Sequence, residues 1–280
     1  MKQLLTTGLG LILLLLVINS PAQEVAKAAN PNAVAQGSVQ QAGATMQGAY
    51  ALNMQMINDG TRDSMINIQQ FKLYTDRHFM YAHAEPGDSL AFYGIGTYSM
   101  ENGRLMEYPF YTSASGARND TFEIKITKLG NGYVQVINFP PDSQGRKYVL
   151  TEEYGNVSAH LSSPLDGAWK QTKSTFIPTT GAPVVTDNPT EFKVFQSGHF
   201  IWASTSVDSA TGKPASYFGY GTFEMDGRNT AKERTTNSTF RTTLIGKPVR
   251  VQLEFMGKDG YRQTIVWPNG KSVETYERLK

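Results

Sequence analysis

The chain has 280 residues, contains no cysteine and carries a formal net charge of +2 at pH 7. So small a charge excess excludes the multi-lysine attraction on which binding to nucleic acid or to an anionic membrane surface usually depends. Without cysteine there are no disulfides and no thiolate for catalysis or metal binding, so packed cores must stabilise the protein.

Residues 1–22 have the pattern of a secretory signal peptide. Lys2 precedes an apolar stretch from Leu4 to Ile18, and the small residues Ser20 and Ala22 offer a cleavage position. The stretch is shorter than the roughly 20 residues of a transmembrane helix, so we predict a cleaved signal, no integral membrane span and a secreted or periplasmic protein. Residues 23–46 are rich in Ala, Gln, Asn and Gly, which predicts a flexible tether.

The rest of the chain is a duplication. The segment FKLYTDRHFMYA at 71–82 matches FKVFQSGHFIWA at 192–203, and GIGTYSM at 94–100 matches GYGTFEM at 219–225 in the same order. Later matches pair Glu107 with Glu233, GYVQVINFP with GYRQTIVWP, and TEEY at 151–154 with TYER at 275–278. Repeats of this length predict two related domains, 47–158 and 165–280, joined by a linker at 159–164.

Each unit has the pattern of antiparallel β-structure. The segment VRVQLEF at 249–255 alternates apolar and polar residues, as a half-buried strand does. Asn-Gly and Asp-Gly pairs recur at hairpin positions, at 102–103, 131–132, 226–227, 259–260 and 269–270. Many short strands in about 115 residues favour a barrel or sandwich, and a barrel leaves no exposed edge. We therefore predict an all-β protein of two tandem antiparallel barrels.

The second unit resembles the lipocalin and wider calycin pattern. It begins with Gly167, Ala168 and Trp169 and has Arg278 in its last strand, and its HFIW and GYGTFEMDG segments are similar to lipocalin-like domains of secreted bacterial proteins. The resemblance implies that Trp169 lies at the closed end of the barrel with Arg278 packed across it. The first unit has Tyr50 and Tyr154 at the matched places, which predicts closure by aromatic stacking.

Each unit also repeats a set of side chains able to bind a polar group. The set is His78, Glu107, Tyr133 and Glu153 in the first unit, and His199, Glu233, Tyr261 and Glu277 in the second. Two carboxylates, an imidazole and a phenol could bind a metal, perform acid–base chemistry or anchor a ligand. No close ligand pair such as HExxH is present, so we predict no metal. The glycines of GIG and GYG lie within strands, where they would allow a sharp bend or a close neighbour, so no nucleotide cofactor is predicted.

The histidine strands are apolar on both faces. Phe200 and Trp202 alternate with His199, Ile201 and Ala203, and the first unit repeats this arrangement. One face would line the barrel and the other would be covered, for example by the partner domain. The predicted walls of a ligand cup are Phe200, Trp202, Phe223 and Trp267.

Three functions remain open at this point. The first is a non-enzymatic protein that binds a small apolar or amphipathic ligand in one or both barrels, with His199, Glu233 and Glu277 as anchors. The second is a cell-envelope module with filled barrels, which binds a protein or glycan through loops such as 204–217. The third is a hydrolase or isomerase that uses His199 and Glu233, which requires the two side chains to be within hydrogen-bond reach.

Overall fold

The computed structural model describes residues 45–84, 91–101, 104–159, 161–208 and 212–280. The predicted signal peptide and all but the last two residues of the predicted tether lie outside them. The end of that tether was predicted wrongly, because Met46 is buried in the core of the first barrel. No helix in the described residues is long and apolar enough to cross a membrane.

The first half of the described chain forms ten strands. They are β1 (Gly48–Asn58), β2 (Asp63–Ile66), β3 (Phe71–Tyr74), β4 (His78–Ala84), β5 (Ala91–Glu101), β6 (Arg104–Thr112), β7 (Gly116–Ala117), β8 (Phe122–Leu129), β9 (Gly132–Asn138) and β10 (Val149–Asn156).

The second half forms nine strands and a short 3₁₀ helix. The strands are β11 (Gly167–Pro178), β12 (Val184–Asp187), β13 (Thr190–Gln196), β14 (His199–Val207), β15 (Pro214–Met225), β16 (Thr230–Ser238), β17 (Pro248–Phe255), β18 (Gly260–Trp267) and β19 (Gly270–Arg278), with the 3₁₀ helix at Thr242–Leu244 between β16 and β17.

Each half closes into an antiparallel barrel of eight main strands. Strand β1 pairs with both β3 and β10, and β11 pairs with both β13 and β19, so the first and last strands of each barrel are joined. Closure satisfies the backbone hydrogen bonds that an open sheet would leave at its edges. The all-β fold of two tandem antiparallel barrels is therefore confirmed.

The repeated glycines sit where the barrel wall bends. The pairing register shifts between Ile95 and Gly96 in the first barrel and between Tyr220 and Gly221 in the second. A Cβ on either Gly96 or Gly221 would overlap the backbone of the neighbouring strand. These glycines therefore permit a bulge and a close strand approach, as their position within strands predicted.

The two barrels pack against each other through a shared apolar core. The outer faces of β3, β4 and β5 meet those of β13, β14 and β15, and the buried residues include Leu73, Met80, Val194, Ile201 and Phe218. Phe71 stacks on Tyr220 with 4.9 Å between ring centroids, and Tyr93 Oη lies 2.8 Å from Thr205 Oγ1. The histidine strands are thus covered on both faces, as their sequence predicted.

Replacing Phe71 by alanine should weaken this shared core. The side chain is 7% exposed, so its removal leaves a cavity, and we expect the free energy of unfolding to fall by about 3 kcal/mol. Urea denaturation measures the change. Met65, which is 68% exposed, supplies the control, because Met65→Ala should alter stability by less than about 0.5 kcal/mol. Equal effects of the two substitutions would contradict the interface.

Candidate functional site

The closed end of each barrel holds a stack of three aromatic rings. In the second barrel, Trp169 meets Tyr261 edge-on at 4.8 Å and Tyr261 stacks on Tyr276 at 4.9 Å. The Arg278 guanidinium lies 4.0 Å from the centroid of Trp169 and donates from Nη1 to Asp166 O. Tyr50, Tyr133 and Tyr154 form the corresponding stack in the first barrel.

The last strand corrects the predicted repeat match by two residues. Trp169 pairs with Arg278, whereas Tyr50 pairs with Asn156, so Asn156 and not Tyr154 takes the place of Arg278. Tyr154 corresponds instead to Tyr276, because each pairs with the repeated tyrosine of the preceding strand, Tyr133 or Tyr261.

Glu153 and Glu277 do not lie inside the barrels, where the sequence analysis placed them. Glu277 is exposed, and Glu153 lies on the outer face of β10 beside Asn53. The carboxylates that point inward are their neighbours at the alternate positions, Glu152 and Glu274. Successive side chains along a strand point to opposite faces, and Glu153 and Glu277 lie one and three residues after these inward positions, so both point outward.

His78 and His199 face the contact between the barrels and not the interiors. The imidazole of His199 lies 5.5 Å from the ring of Phe71 in the other barrel, and His78 lies edge-on to Phe110, which itself packs on Phe192. Burial lowers the pKa of both histidines. His199 and Glu233 lie on opposite faces of the barrel wall, so the predicted anchoring and acid–base roles of His199 are wrong.

A buried ion pair that the sequence analysis did not identify crosses the interior of each barrel. Lys193 Nζ lies 2.6 Å from Glu233 Oε1, and Lys72 Nζ lies 2.6 Å from Glu107 Oε1. Both lysines are only 2% exposed. A lysine repeated within two otherwise apolar strand segments was the available signal, because a buried charge needs an opposite partner.

Polar side chains fill the interior of the first barrel above this pair. Glu152 accepts hydrogen bonds from four neighbours: Gln55 (2.6 Å), Gln70 (3.1 Å), Tyr154 (3.1 Å) and Gln135. Nδ1 of His83 donates to Gln70 Oε1 at 2.7 Å, and burial lowers the pKa of His83 to about 4, so the imidazole is neutral. These groups are buried, and the hydrogen bonds among them satisfy most of their polar atoms, Gln135 Oε1 being an exception.

The second barrel keeps an open cavity of about 340 Å³ at the same level. Its polar floor contains Glu191, Lys193, Glu233, Gln263, Glu274 and Tyr276, and its walls and rim include Trp202, Tyr217, Phe240 and Trp267. Of the residues predicted to bind a ligand, Trp202, Glu233 and Trp267 line this cavity. Phe200, Phe223 and Tyr261 lie below it in the packed base.

Small side chains explain why the second barrel is open. Strand pairing places Ser204 where the first barrel has His83, and Ser272 where it has Leu150. Trp202 lies flat against Gly219, where a Cβ would come within 2.5 Å of the indole nitrogen. The glycine therefore lets the indole lie against the wall, as Gly94 does for Tyr81 in the first barrel, so the small residues Ser204 and Ser272 are what distinguish the open interior.

The segment between β16 and β17 covers part of the mouth of the cavity. Phe240 meets Trp202 and Tyr217 edge-on, and the Arg241 guanidinium lies 4.2 Å from the centroid of Trp267. Arg241 adopts a left-handed backbone with φ of 49°, which turns the chain across the opening. Phe240 remains 45% exposed, so the rim presents an aromatic surface to solvent.

The floor of the cavity has unusual electrostatics. Burial and the neighbouring Glu274 raise the pKa of Glu191 to about 8, and burial also raises the pKa of Glu274. Tyr276 Oη lies 2.6 Å from Glu191 Oε1 and 2.9 Å from Glu274 Oε2. Groups of three or more His, Asp or Glu placed to hold a metal ion are absent from the described part of the chain.

Replacing Lys193 by methionine should destabilise the second barrel by about 3 kcal/mol or more, because Glu233 is left buried without its partner. The double substitution Lys193→Met with Glu233→Leu should recover most of this loss, since no unpaired charge remains. Urea denaturation at pH 7 measures both. Lys232→Met removes a half-exposed cation from the same barrel and should cost less than about 1 kcal/mol. A similar loss for Lys193→Met and Lys232→Met would contradict the buried pair.

Glu191→Gln should change how stability depends on pH. Glu191 keeps its proton to a higher pH in the folded state than in the unfolded state, so its contribution is fully present below about pH 4.5 and is lost as the pH rises through about 8. Over this window we expect wild type to lose stability relative to Glu191→Gln, as measured by urea denaturation at successive pH values. Glu254→Gln, at a position exposed to solvent, controls for the loss of a surface carboxylate. If the stability of Glu191→Gln followed the same pH dependence as that of wild type, the raised pKa of Glu191 would be wrong.

Comparison with known proteins adds little to this geometry. No protein-family model and no curated protein matches the sequence. A solved protein of unknown function from the DUF3598 family of Nostoc punctiforme has 11% identity and a TM-score of 0.26, and the match covers 84% of this chain and 96% of that one. A solved protein described as a candidate outer membrane protein of Bacteroides fragilis has 8% identity and a TM-score of 0.25, covering 84% and 98%. With TM-scores this low, neither structure bears on the function.

Proposed function

We propose that the protein is a non-enzymatic binding protein that holds one small amphipathic ligand inside its second barrel. The open interior of that barrel carries the proposal. A volume of about 340 Å³ falls in the range of small-molecule sites, which typically combine apolar walls with a few placed polar groups. The cavity has this combination, with aromatic rings at its walls and rim and charged groups on its floor.

The two barrels have different roles in this proposal. The first barrel, whose interior is occupied by its own side chains, acts as a rigid support that buries the outer faces of β13, β14 and β15. The second barrel holds the ligand. A lipocalin-like relationship fits this arrangement, because the Trp169–Arg278 contact closes one end and leaves the cavity towards the other. The signal-like sequence of residues 1–22 supports a location outside the cytoplasm for this binding protein.

The alternatives receive less support. An enzyme based on His199 and Glu233 loses its minimum requirement, because the two side chains lie on opposite faces of the wall. An interaction module with solid barrels fits only the first barrel. The aromatic rim around Phe240 and Trp267 borders a cavity, which favours a ligand that enters it over a macromolecule that rests on it.

Ligand binding can be tested with variants that copy the first barrel. Ser204→His and Ser272→Leu introduce the side chains that the first barrel has at the same places, so both should fill the cavity without exceeding what such a barrel accommodates. We expect native mass spectrometry of protein from its natural host to show a bound small molecule in wild type and not in either variant. Intrinsic fluorescence should follow rebinding, because Trp202 and Trp267 line the cavity whereas Trp169 is buried at the base.

Thr127→His provides the matched control. Thr127 is exposed on the outer face of β8 in the first barrel, so this variant should bind like wild type. Near-ultraviolet circular dichroism should show that all variants fold. If wild type carries no small molecule and its tryptophan emission responds to no extract of its host, the binding proposal is wrong.

A further inference from the structure

The cavity of the second barrel contains more carboxylates than cations. Glu191, Glu233 and Glu274 face Lys193 on the floor, with Arg241 at the rim. Lys193 is already engaged, because its Nζ contacts Glu233 Oε1 at 2.6 Å and Gln263 Oε1 at 3.3 Å. Arg241 is exposed and lies on the ring of Trp267. Within the described residues, no ion pair joins a cation to Glu191 or Glu274.

The first barrel has more hydrogen-bond donors around the matching carboxylate. Its Glu152 accepts from three amides and a tyrosine, whereas the corresponding Glu274 accepts only from Gln263 at 2.5 Å and Tyr276 at 2.9 Å within the described residues. Strand pairing places Ser174 where the first barrel has Gln55, and Glu191 where it has Gln70. At these two positions the second barrel has a serine and an additional acid in place of two amide donors. One amide is regained, because Gln171 takes the place of Leu52 and donates to Glu191 Oε1 at 2.9 Å.

The hydrogen bonds of Tyr276 indicate that one of these acids is protonated. The hydroxyl lies within hydrogen-bond distance of both Glu191 and Glu274, and it also accepts from Gln171 Nε2 at 2.9 Å. A phenol has one proton to donate, so only one of the two carboxylates can accept it. The second short contact is a hydrogen bond only if that carboxyl is itself protonated.

Aromatic rings surround the space above the two acids. Trp202, Tyr217, Phe240 and Trp267 line the walls and rim, and the faces of such rings attract cations in partly desolvated sites. Arg241 already uses one face of Trp267 in this way. The cavity thus combines a floor that has spare acceptors and excess negative charge with walls that tolerate a cation and its apolar body.

We propose that the ligand of the second barrel is a protonated amine with a small apolar body, whose ammonium group binds Glu191 and Glu274. This inference rests on the proposed binding function. An ammonium supplies both elements that the floor lacks, namely one positive charge and several N–H donors. An anion would instead meet three carboxylates, and a neutral alcohol would supply a donor but no charge.

Binding of an amine should displace the proton that the two acids hold. The charged and titratable groups that face the pair are Lys170, Lys193, Glu233, Tyr261 and Tyr276. Because the pKa of Glu191 is raised to about 8, the acid is largely protonated at pH 7. An ammonium beside it stabilises the ionised form, so affinity should rise as the pH increases from 6 to 8, where the amine itself stays protonated.

Isothermal titration calorimetry with three probes of equal size tests the inference: phenethylamine, 2-phenylethanol and phenylacetate. We expect phenethylamine to bind wild type about tenfold more tightly than the alcohol, with phenylacetate weakest. Titration at pH 7 in phosphate and in Tris should show release of up to about one proton per amine bound. Glu274→Gln should lower amine affinity about tenfold and leave alcohol affinity unchanged, and Glu191→Gln should abolish the proton release.

The matched control is Glu277→Gln, which removes an exposed carboxylate from the outer face of the same strand and should change neither result. If the alcohol or the acid binds as tightly as the amine, while Ser204→His abolishes all binding, the cavity is a ligand site but the amine assignment is wrong. Amine binding that Glu274→Gln leaves unchanged would also overturn the assignment. If none of the three probes binds wild type, both the assignment and the proposed function fail.

Discussion

Coverage of the barrel wall on both sides is the constraint on which the rest of this structure depends. Strands β3 to β5 and β13 to β15 face a barrel interior on one side and the other barrel on the opposite side, so the central residues of these strands are buried on both faces. The shared core stabilises the pair and fixes the wall that carries Lys193, Glu191 and Trp202. It also means that burial alone does not mark a residue that faces the cavity: His199 is as much part of this wall as Lys193, yet it serves the contact between domains.

The buried lysine–glutamate pair is the second element common to both barrels. Such a pair contributes little net stability, because desolvation of the two charges offsets their attraction. Its value lies in specifying which polar groups share the interior. In the first barrel, amides complete the hydrogen bonds of Glu152 and His83 fills the remaining space. In the second barrel, Ser204 and Ser272 leave the space open, and Glu191 adds a third carboxyl group to the residues that line it. The same scaffold therefore supports a filled interior in one barrel and an open cavity in the other through a few substitutions.

The sequence predicts the fold well because the fold depends on patterns that repeat. Alternating strands, hairpin turns and the duplication suffice to predict two antiparallel barrels, and they correctly pair Glu107 with Glu233. The site is harder to predict, because the side chains that line it are those at alternate positions along each strand, and an error of one residue selects the opposite face. Each first strand contains a bulge, between Leu52 and Met54 or between Gln171 and Lys173. The last strand of the first barrel has two adjacent glutamates, Glu152 and Glu153, whereas that of the second has Glu274 and Glu277, three residues apart, so similarity alone selected Glu153 and Glu277. Strands that are apolar on both faces likewise give no indication of which face His199 occupies.

Comparison of the two barrels provides a control that a single domain would lack. Residues at the closed end have the same chemical character in both barrels, since an aromatic ring, Trp169 or Tyr50, contacts two tyrosines in each. The glycines at the bulges are identical. Residues around the cavity differ in size and charge. The second barrel has Ser204 and Ser272 in place of His83 and Leu150, fewer amide donors and one more carboxylate, although its Trp202 and Trp267 are larger than the matched Tyr81 and Phe139. Random loss of packing would not add a buried acid beside another acid, because an uncompensated carboxylate in a poorly solvated interior is costly. The presence of Glu191 beside Glu274 has a physical reason if a cation from outside the chain binds the two carboxylates and offsets this cost.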